Sequence, residues 1–233
     1  MIKKFLSVIL AAAMLLSFAV SASAGEAGEL KFSADGEFTI LHISDMQDDR
    51  YPAYDMLNFV RLAIENTDPD LIVITGDIVE DADTFEGNAL IKARTVCEAT
   101  GCIAIADDSG LCVDALDGKP GVFSARYAGE LADDGRNNAK LLAELRDVPE
   151  EKRTARFCCV IAAAFPDGKT VVAQGECEGR IGFEKKGDGD FGYDPLFYYP
   201  PFDKTFAEMT ANEKNSVSHR GRAVKAFCEK FFG

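Results

Sequence analysis

The stretch that most constrains how this chain folds is Ile103-Ala-Ile-Ala-Asp-Asp-Ser-Gly-Leu-Cys-Val113. Ile103 to Ala106 is a short apolar run with the length and residue types of a buried strand. It runs straight into two adjacent carboxylates, Asp107 and Asp108, with Ser109 and Gly110 behind them. Ionised acids at the end of a buried strand are costly unless a metal, a cation or solvent receives them. Ser-Gly at this point predicts that the strand turns. Two readings fit the same residues. Paired Asp followed by Ser-Gly suits holding Mg²⁺ and aiming a water at a phosphorus atom. An Asx-type turn with solvated acids uses them equally well.

Composition narrows the classes. A chain of 233 residues has room for one large or two small domains. Hydrophobic content of 47% beside 27% charged residues is that of a globular protein and excludes a disordered one. A net charge of −14 works against binding a nucleic-acid polymer, which needs a basic footprint. It is compatible with an enzyme whose acidic site works through a divalent cation. The seven cysteines, an odd number on apolar patterns, read as reduced, buried thiols rather than a disulfide framework. With no C-x-x-C pair and only His42 and His219, a zinc site is not expected.

The N-terminus points elsewhere. Met1-Ile-Lys-Lys4 is a basic region, Phe5 to Val20 is apolar, and Ala22-Ser-Ala24 is a small-residue cleavage pattern. Residues 1–24 therefore read as a signal peptide, with no membrane attachment after cleavage; an uncleaved anchor is the alternative. The leader speaks for export and the cysteines for a reducing compartment, so localisation is left open.

Taken in order, residues 25–36 form a small, polar linker. Phe38 to Ser44 is a buried-strand pattern ending in Asp45-Met-Gln47. Tyr54 to Asn66 carries apolar residues at helical spacing until Asp68-Pro69 breaks it. Leu71 to Thr75 is a second strand, ending in Gly76-Asp77. This βαβ pattern puts an acid at the carboxyl end of each strand, where ligands sit in open α/β sheets.

Asp83 and Glu86 have the spacing of a capping box opening a helix from Thr84 to Thr100, which Gly101 stops. Asn88 and Lys92, four apart, share a polar face whose plain reading is a solvated surface. Leu111 to Leu116 continues as strand or turn, Asp117 to Gly121 is a turn cluster, and Ser124 to Tyr127 is loop. Asn137 to Arg146 reads as an amphipathic helix. Strands Thr154 to Phe165 and Thr170 to Glu178 are joined by Pro166-Asp-Gly168, a hairpin signal.

In Gly187 to Phe197, Phe191 and Tyr193 are suited to stacking on a base and Asp194 to reading its edge. A Gly-rich turn packing its aromatics into the core is the alternative. Thr210 with Glu213 forms another capping box. Lys214, His219 and Arg220 then supply donors suited to phosphate or a purine carbonyl, and a helix runs to Phe232.

Two resemblances follow. "LHISDMQ" and "LIVITGDIVED" look like the start of a calcineurin-like metallophosphoesterase over about residues 38–81. That likeness implies Asp45 and Asp77 as metal ligands, but the later His motifs of that family are missing and position 47 is Gln. Residues 25–80 thus read as a truncated segment of that kind. The second likeness covers the rest of the chain, residues 81–233. "TFEGNALIKA", "AIADDSGLCVDAL", "PGVFSARYAGE", "RTARFCCVIAAAFPDG", "DFGYDPLF", "TFAEM" and "EKNSVSHRGRA", in this order, strongly resemble the noncanonical purine NTP pyrophosphatases.

That resemblance implies an α/β fold, an elongated mixed sheet flanked by helices, here preceded by the βαβ unit, and a homodimer. It implies hydrolysis of ITP, dITP or XTP to the monophosphate and pyrophosphate, by Mg²⁺-activated water attack at the α-phosphorus. Asp108 resembles the general base and a metal ligand, with Glu80 as a second ligand. Lys92 and Ser109 would contact phosphate. Phe191, Gly192, Tyr193, Asp194, Lys214, His219 and Arg220 would hold the nucleotide and select a 6-keto purine. One part is absent: the family begins with a Ser/Thr-x-Asn-x-x-Lys loop around the triphosphate, and nothing from Phe38 to Asp81 supplies it. Losing one charge-assisted contact costs about 1.5–3 kcal/mol, so impaired turnover is expected. A secreted metallophosphoesterase and a non-catalytic nucleotide-binding fusion remnant are the rival expectations.

Overall fold

The computed structural model describes residues 38–44, 62–75, 82–129, 133–189 and 191–233. Seven strands form one mixed sheet whose spatial order is the chain order. They are β1 (Ile40–Ser44), β2 (Leu71–Thr75), β3 (Ile103–Val113), β4 (Thr154–Ala164), β5 (Thr170–Ile181), β6 (Phe197–Tyr199) and β7 (Lys204–Thr205). β1, β2 and β3 run parallel, and every later neighbour is antiparallel. The expected mixed sheet is therefore present, with one difference in placement. β1 and β2 do not stand before it; β2 pairs with β3 from Leu71↔Ile103 to Ile74↔Ala106, so they are its first two strands.

The main departure from expectation is in β3. Asp107-Asp108-Ser109-Gly110 is the middle of an 11-residue strand and not a turn. All four residues are in register with β4, Asp107 opposite Ile161 and Gly110 opposite Cys158. The strand is about 36 Å long at the usual rise. Unbroken pairing with β4 holds its backbone extended, so the turn preference of Ser-Gly loses to the ladder. The acids are thereby held inside the protein, and each needs a cation of its own.

Helices supply them from both sides. α1 (Phe85–Thr100) packs on one face. Its Ala89 and Ala93 lie against Ile72, Ile74, Ala104, Ala106 and Val160. The cap is Thr84, whose hydroxyl accepts from Gly87 N, rather than Asp83, and Gly101 in the left-handed region ends the helix as expected. α2 (Asp134–Glu144) begins three residues before the predicted Asn137. α3 (Ala211–Val217) carries the predicted Thr210/Glu213 capping box. α4 (His219–Phe232) covers the opposite face, with Ala223 and Phe227 against Cys159, Ile161 and Ala173.

A third cluster joins Leu111, Val113, Leu141, Leu145, Phe157 and Phe197 farther along the sheet. The ends of β3 are therefore anchored in apolar cores, and its polar middle lies between them. α4 sits close because β5 has glycine at 175. A Cβ there would come within 2.3 Å of Ala223 N and His219 O.

All seven cysteines are free thiols: Cys97, Cys158, Cys159 and Cys177 are buried, and Cys102, Cys112 and Cys228 are partly so. The predicted leader (residues 1–24), the linker, most of the Tyr54–Asn66 helix, Asp45, Asp77 and Glu80 lie outside the described residues.

Candidate active site

Successive side chains of a strand point to opposite faces. Asp107 and Asp108, adjacent in the chain, therefore serve two different environments. Asp108 faces α1. Its Oδ1 accepts from Lys92 Nζ at 2.8 Å and its Oδ2 from Asn88 Nδ2 at 3.2 Å. Lys92 and Asp108 are 2% and 4% exposed, so this is a buried, charge-assisted pair.

The helical i, i+4 spacing of Asn88 and Lys92 puts both on the strand side of α1. They do not form the solvated surface that spacing alone suggests. Asn88 also accepts from Ala82 N at 3.0 Å, and Lys92 also donates to Asp107 O at 3.3 Å. Asn88 is a member of this group that motif reasoning left on the surface; the signal for it was its shared face with Lys92.

Asp107 and Ser109 face the other way, toward the start of α4. Arg220 Nε and Nη2 donate to Asp107 Oδ2 at 3.2 and 3.0 Å, and Nη2 also donates to Ser109 Oγ at 3.0 Å. Asp107 Oδ1 is buried with no hydrogen-bond partner among the described residues. Beneath the pair, Cys159 Sγ is 3.9 Å from Asp107 Oδ2. Burial, then the Asp107 charge, pushes that thiol up to about 12, so it stays protonated.

His219 opens α4, its ring stacked on Phe157 at 4.7 Å between centroids. Burial, then the charges of Arg220 and Lys214, pull its pKa down to about 3. It is a neutral imidazole at any ordinary pH, and its Nδ1 has no partner among the described residues.

The loop from Gly187 to Phe197 contributes unevenly. Asp194 is buried and ion-paired to Lys214. Burial lifts the Asp194 carboxyl above the usual carboxylate range although Lys214 pulls it back. The ammonium of Lys214 lies 5.3 Å from the centroid of Phe191, whose ring is 70% exposed. Phe191 is thus available for stacking. Tyr193 is not: its ring is in the core, and its hydroxyl donates to Ser124 O at 2.8 Å.

Gly192, at φ +53°, is held on both sides by α2. Its N–H donates to Asp134 Oδ2 and its carbonyl accepts from Asn138 Nδ2, each at 2.8 Å. Asp134 and Asn138 were not foreseen. Their one signal is the i, i+4 spacing of a polar pair on a short amphipathic helix.

The site thus has Asp108, Lys92 and Asn88 on one side of β3, and Asp107, Ser109, Arg220, His219, Lys214, Asp194 and Phe191 on the other. Asp108 offers the hard carboxylate oxygen that suits a divalent cation of the Mg²⁺ type. Among the described residues no three His, Cys, Asp or Glu side chains gather as a metal cluster.

Known proteins resemble this chain in sequence and fold. The Ham1 family profile matches residues 55–230, beginning upstream of Glu80 where the quoted motifs start. A dITP/XTP pyrophosphatase of Desulforamulus reducens is 58% identical over 153 residues, 66% of this chain and 76% of that protein. The dITP/XTP pyrophosphatase of Halalkalibacterium halodurans is 56% identical over 149 residues, 64% of this chain and 77% of its own length. Among solved structures, the Staphylococcus aureus Ham1 protein superposes with a TM-score of 0.62 at 36% identity, covering 79% of this chain and 94% of its own. The structural likeness takes in more of this chain than the sequence likeness does. With the family profile spanning three-quarters of its length and the polar middle of β3 as its centre, this chain belongs to the Ham1 family.

Proposed function

We propose that this protein is a nucleoside-triphosphate pyrophosphatase that hydrolyses noncanonical purine nucleotides (ITP, dITP and XTP) to the monophosphate and pyrophosphate. The observation that carries the reading is the Asp108 carboxylate, buried and held by Lys92 and Asn88. Relatives more than half identical over most of their length, named as dITP/XTP pyrophosphatases, support it.

In this reading Asp108 accepts a proton from the water that attacks the α-phosphorus. The bond from phosphorus to the bridging oxygen breaks, and pyrophosphate leaves with the electron pair. Lys92 brings a fixed positive charge beside the site of attack, in surroundings where charge is weakly screened. A divalent cation, with Mg²⁺ the best fit to hard oxygen ligands, would be held by Asp108 and Glu80 and would neutralise phosphate charge. Ser109 and Lys92 contact phosphate, Phe191 stacks on the base, and Asp194 and Lys214 flank it.

Selection of a 6-keto purine rests on Arg220 and on the neutral His219, both of which can donate to a carbonyl oxygen. An adenine amino group would leave such donors unpaired. The missing Ser/Thr-x-Asn-x-x-Lys loop lowers triphosphate affinity by the equivalent of about 1.5–3 kcal/mol. The protein works as a homodimer, which sedimentation would check.

The test is pyrophosphate release from ITP, dITP and XTP in the presence of Mg²⁺. Asp108→Asn is expected to lower kcat by about 10²–10⁴-fold. Absence of pyrophosphate from all three substrates at any enzyme concentration overturns the proposal.

A further inference from the structure

The activity proposed above uses Asp108 and leaves its neighbour without a role. Asp107 is nevertheless buried, with 10% of its side chain exposed, and it commits one oxygen to two N–H groups of a single guanidinium. The Arg220 side chain is 49% exposed and reaches Asp107 across 113 residues of chain. The pairing holds Arg220 in one orientation. Nε–H and Nη2 are turned inward to Asp107 and Ser109, and Nη1 is left with no hydrogen bond among the described residues. An arginine on an open surface samples many rotamers, and ordering it when ligand binds has a cost that weakens the binding. Asp107 meets that cost before the ligand arrives.

We infer that Asp107 is a positioning residue for base selection: it orders Arg220 so that Nη1 faces the purine carbonyl, and it couples that arm to Ser109. The inference rests on the purine-binding part of that reading, because it assigns the base-reading role to Arg220.

Several features separate this pair from a mere tie between helix and sheet. α4 is already fixed by Ala223 and Phe227 in the core and by close approach at Gly175. The pair also lies at the first turn of the helix, beside His219, and one guanidinium nitrogen, Nη2, spans both Asp107 and Ser109. A tie needs only one of these contacts, whereas a preorganised donor needs its plane fixed.

The test compares Asp107→Asn with the wild type on ITP and ATP. Wild-type pyrophosphate release from ITP establishes the activity itself; its absence sinks the proposed function and not this inference. Given activity, Asp107→Asn is expected to raise KM for ITP about tenfold with kcat within about twofold. The ITP-over-ATP ratio of kcat/KM should fall by a similar factor. Asp107→Glu should recover part of the discrimination.

An equal loss on both substrates, or a fall in kcat alone, overturns the inference. A second readout uses the wild type, so it stands even if the variant does not fold and even if no turnover is seen. The Arg220 Nε–H resonance should exchange slowly in the free protein and shift on addition of inosine monophosphate, but not of adenosine monophosphate. A fast-exchanging resonance in the free protein, or one that ignores both nucleotides, overturns it equally.

Discussion

The two faces of β3 handle the same problem with different cations. On the α1 face a carboxylate meets a lysine, and both are almost wholly shut off from water. On the α4 face a carboxylate meets an arginine that is half exposed. An ammonium is a compact charge that can sit beside a reacting oxygen without imposing a plane. A guanidinium is a rigid fork whose remaining donors take their direction from those already bound. The difference separates the tasks: the enclosed face suits bond cleavage, and the half-open face suits recognition of what enters.

Perturbing one face at a time is the way to break that comparison. The largest effect is expected on the enclosed side. Lys92→Met takes the ammonium away from a carboxylate that is itself only 4% exposed. A loss of about 3–5 kcal/mol in urea unfolding is expected, the range for breaking a buried pair from one side. Activity should fall as well. A variant as stable as wild type would show that the α1 face is wetter than its burial indicates.

Next in size is Gly175→Ala, which drives a methyl group into the backbone of α4. About 1–3 kcal/mol of stability should be lost by overpacking. The kinetic damage should appear as a higher KM for ITP, because Arg220 and His219 move with the helix while Lys92 and Asp108 stay. A fall confined to kcat would reverse the assignment of tasks.

The smallest effect is a pH dependence. His219 titrates near 3 when folded and near its usual value of about 6.5 when unfolded. As pH falls below about 6.5 the unfolded chain takes up the proton first, so the folded state loses stability progressively toward pH 3. Above pH 6.5 that contribution is complete and flat. Between pH 6.5 and 5.5 the wild type should lose about 1 kcal/mol more than His219→Gln. In proton NMR the ring signal of His219 should not move between pH 5 and 8. A titrating signal would mean that the α4 face admits water around the ring.

How much of this was legible depended on the distance between partners. The apolar run at Ile103 marked a buried strand, and the i, i+4 pair Asn88 and Lys92 marked a shared helix face, because both signals are local. The burial of that pair was not legible: its carboxylate lies 16 residues beyond Lys92, and nothing near α1 announces it. The strand through Asp107 to Gly110 was read as a turn because Ser-Gly favours one locally. What overrides it is a ladder with β4 and two cations, one of them 113 residues away.

The Gly187–Phe197 loop presented two aromatics of equal promise, Phe191 and Tyr193. Only the fold tells them apart, by giving Tyr193 a carbonyl in the core and leaving Phe191 outside. Motif order, by contrast, was enough to reach the family, because several short matches in sequence constrain one another.

The alternation of Asp107 and Asp108 bears on how this chain can change in length. In a strand with a two-residue period, inserting one residue ahead of Asp107 would turn each acid to the other's helix, Asp107 into the place beside Lys92 and Asp108 into that of Ser109 beside Arg220. Both would still find a positive charge, but Ser109 would enter the place of Gly110, where a Cβ would lie 2.4 Å from Gly121 O, so the exchange costs packing as well as function. Segment length between Ile103 and Asp107 is therefore under a stricter rule than residue identity. A library that varies side chains there should return folded proteins more often than active ones, and one that lengthens it by a single residue should return neither activity nor wild-type stability.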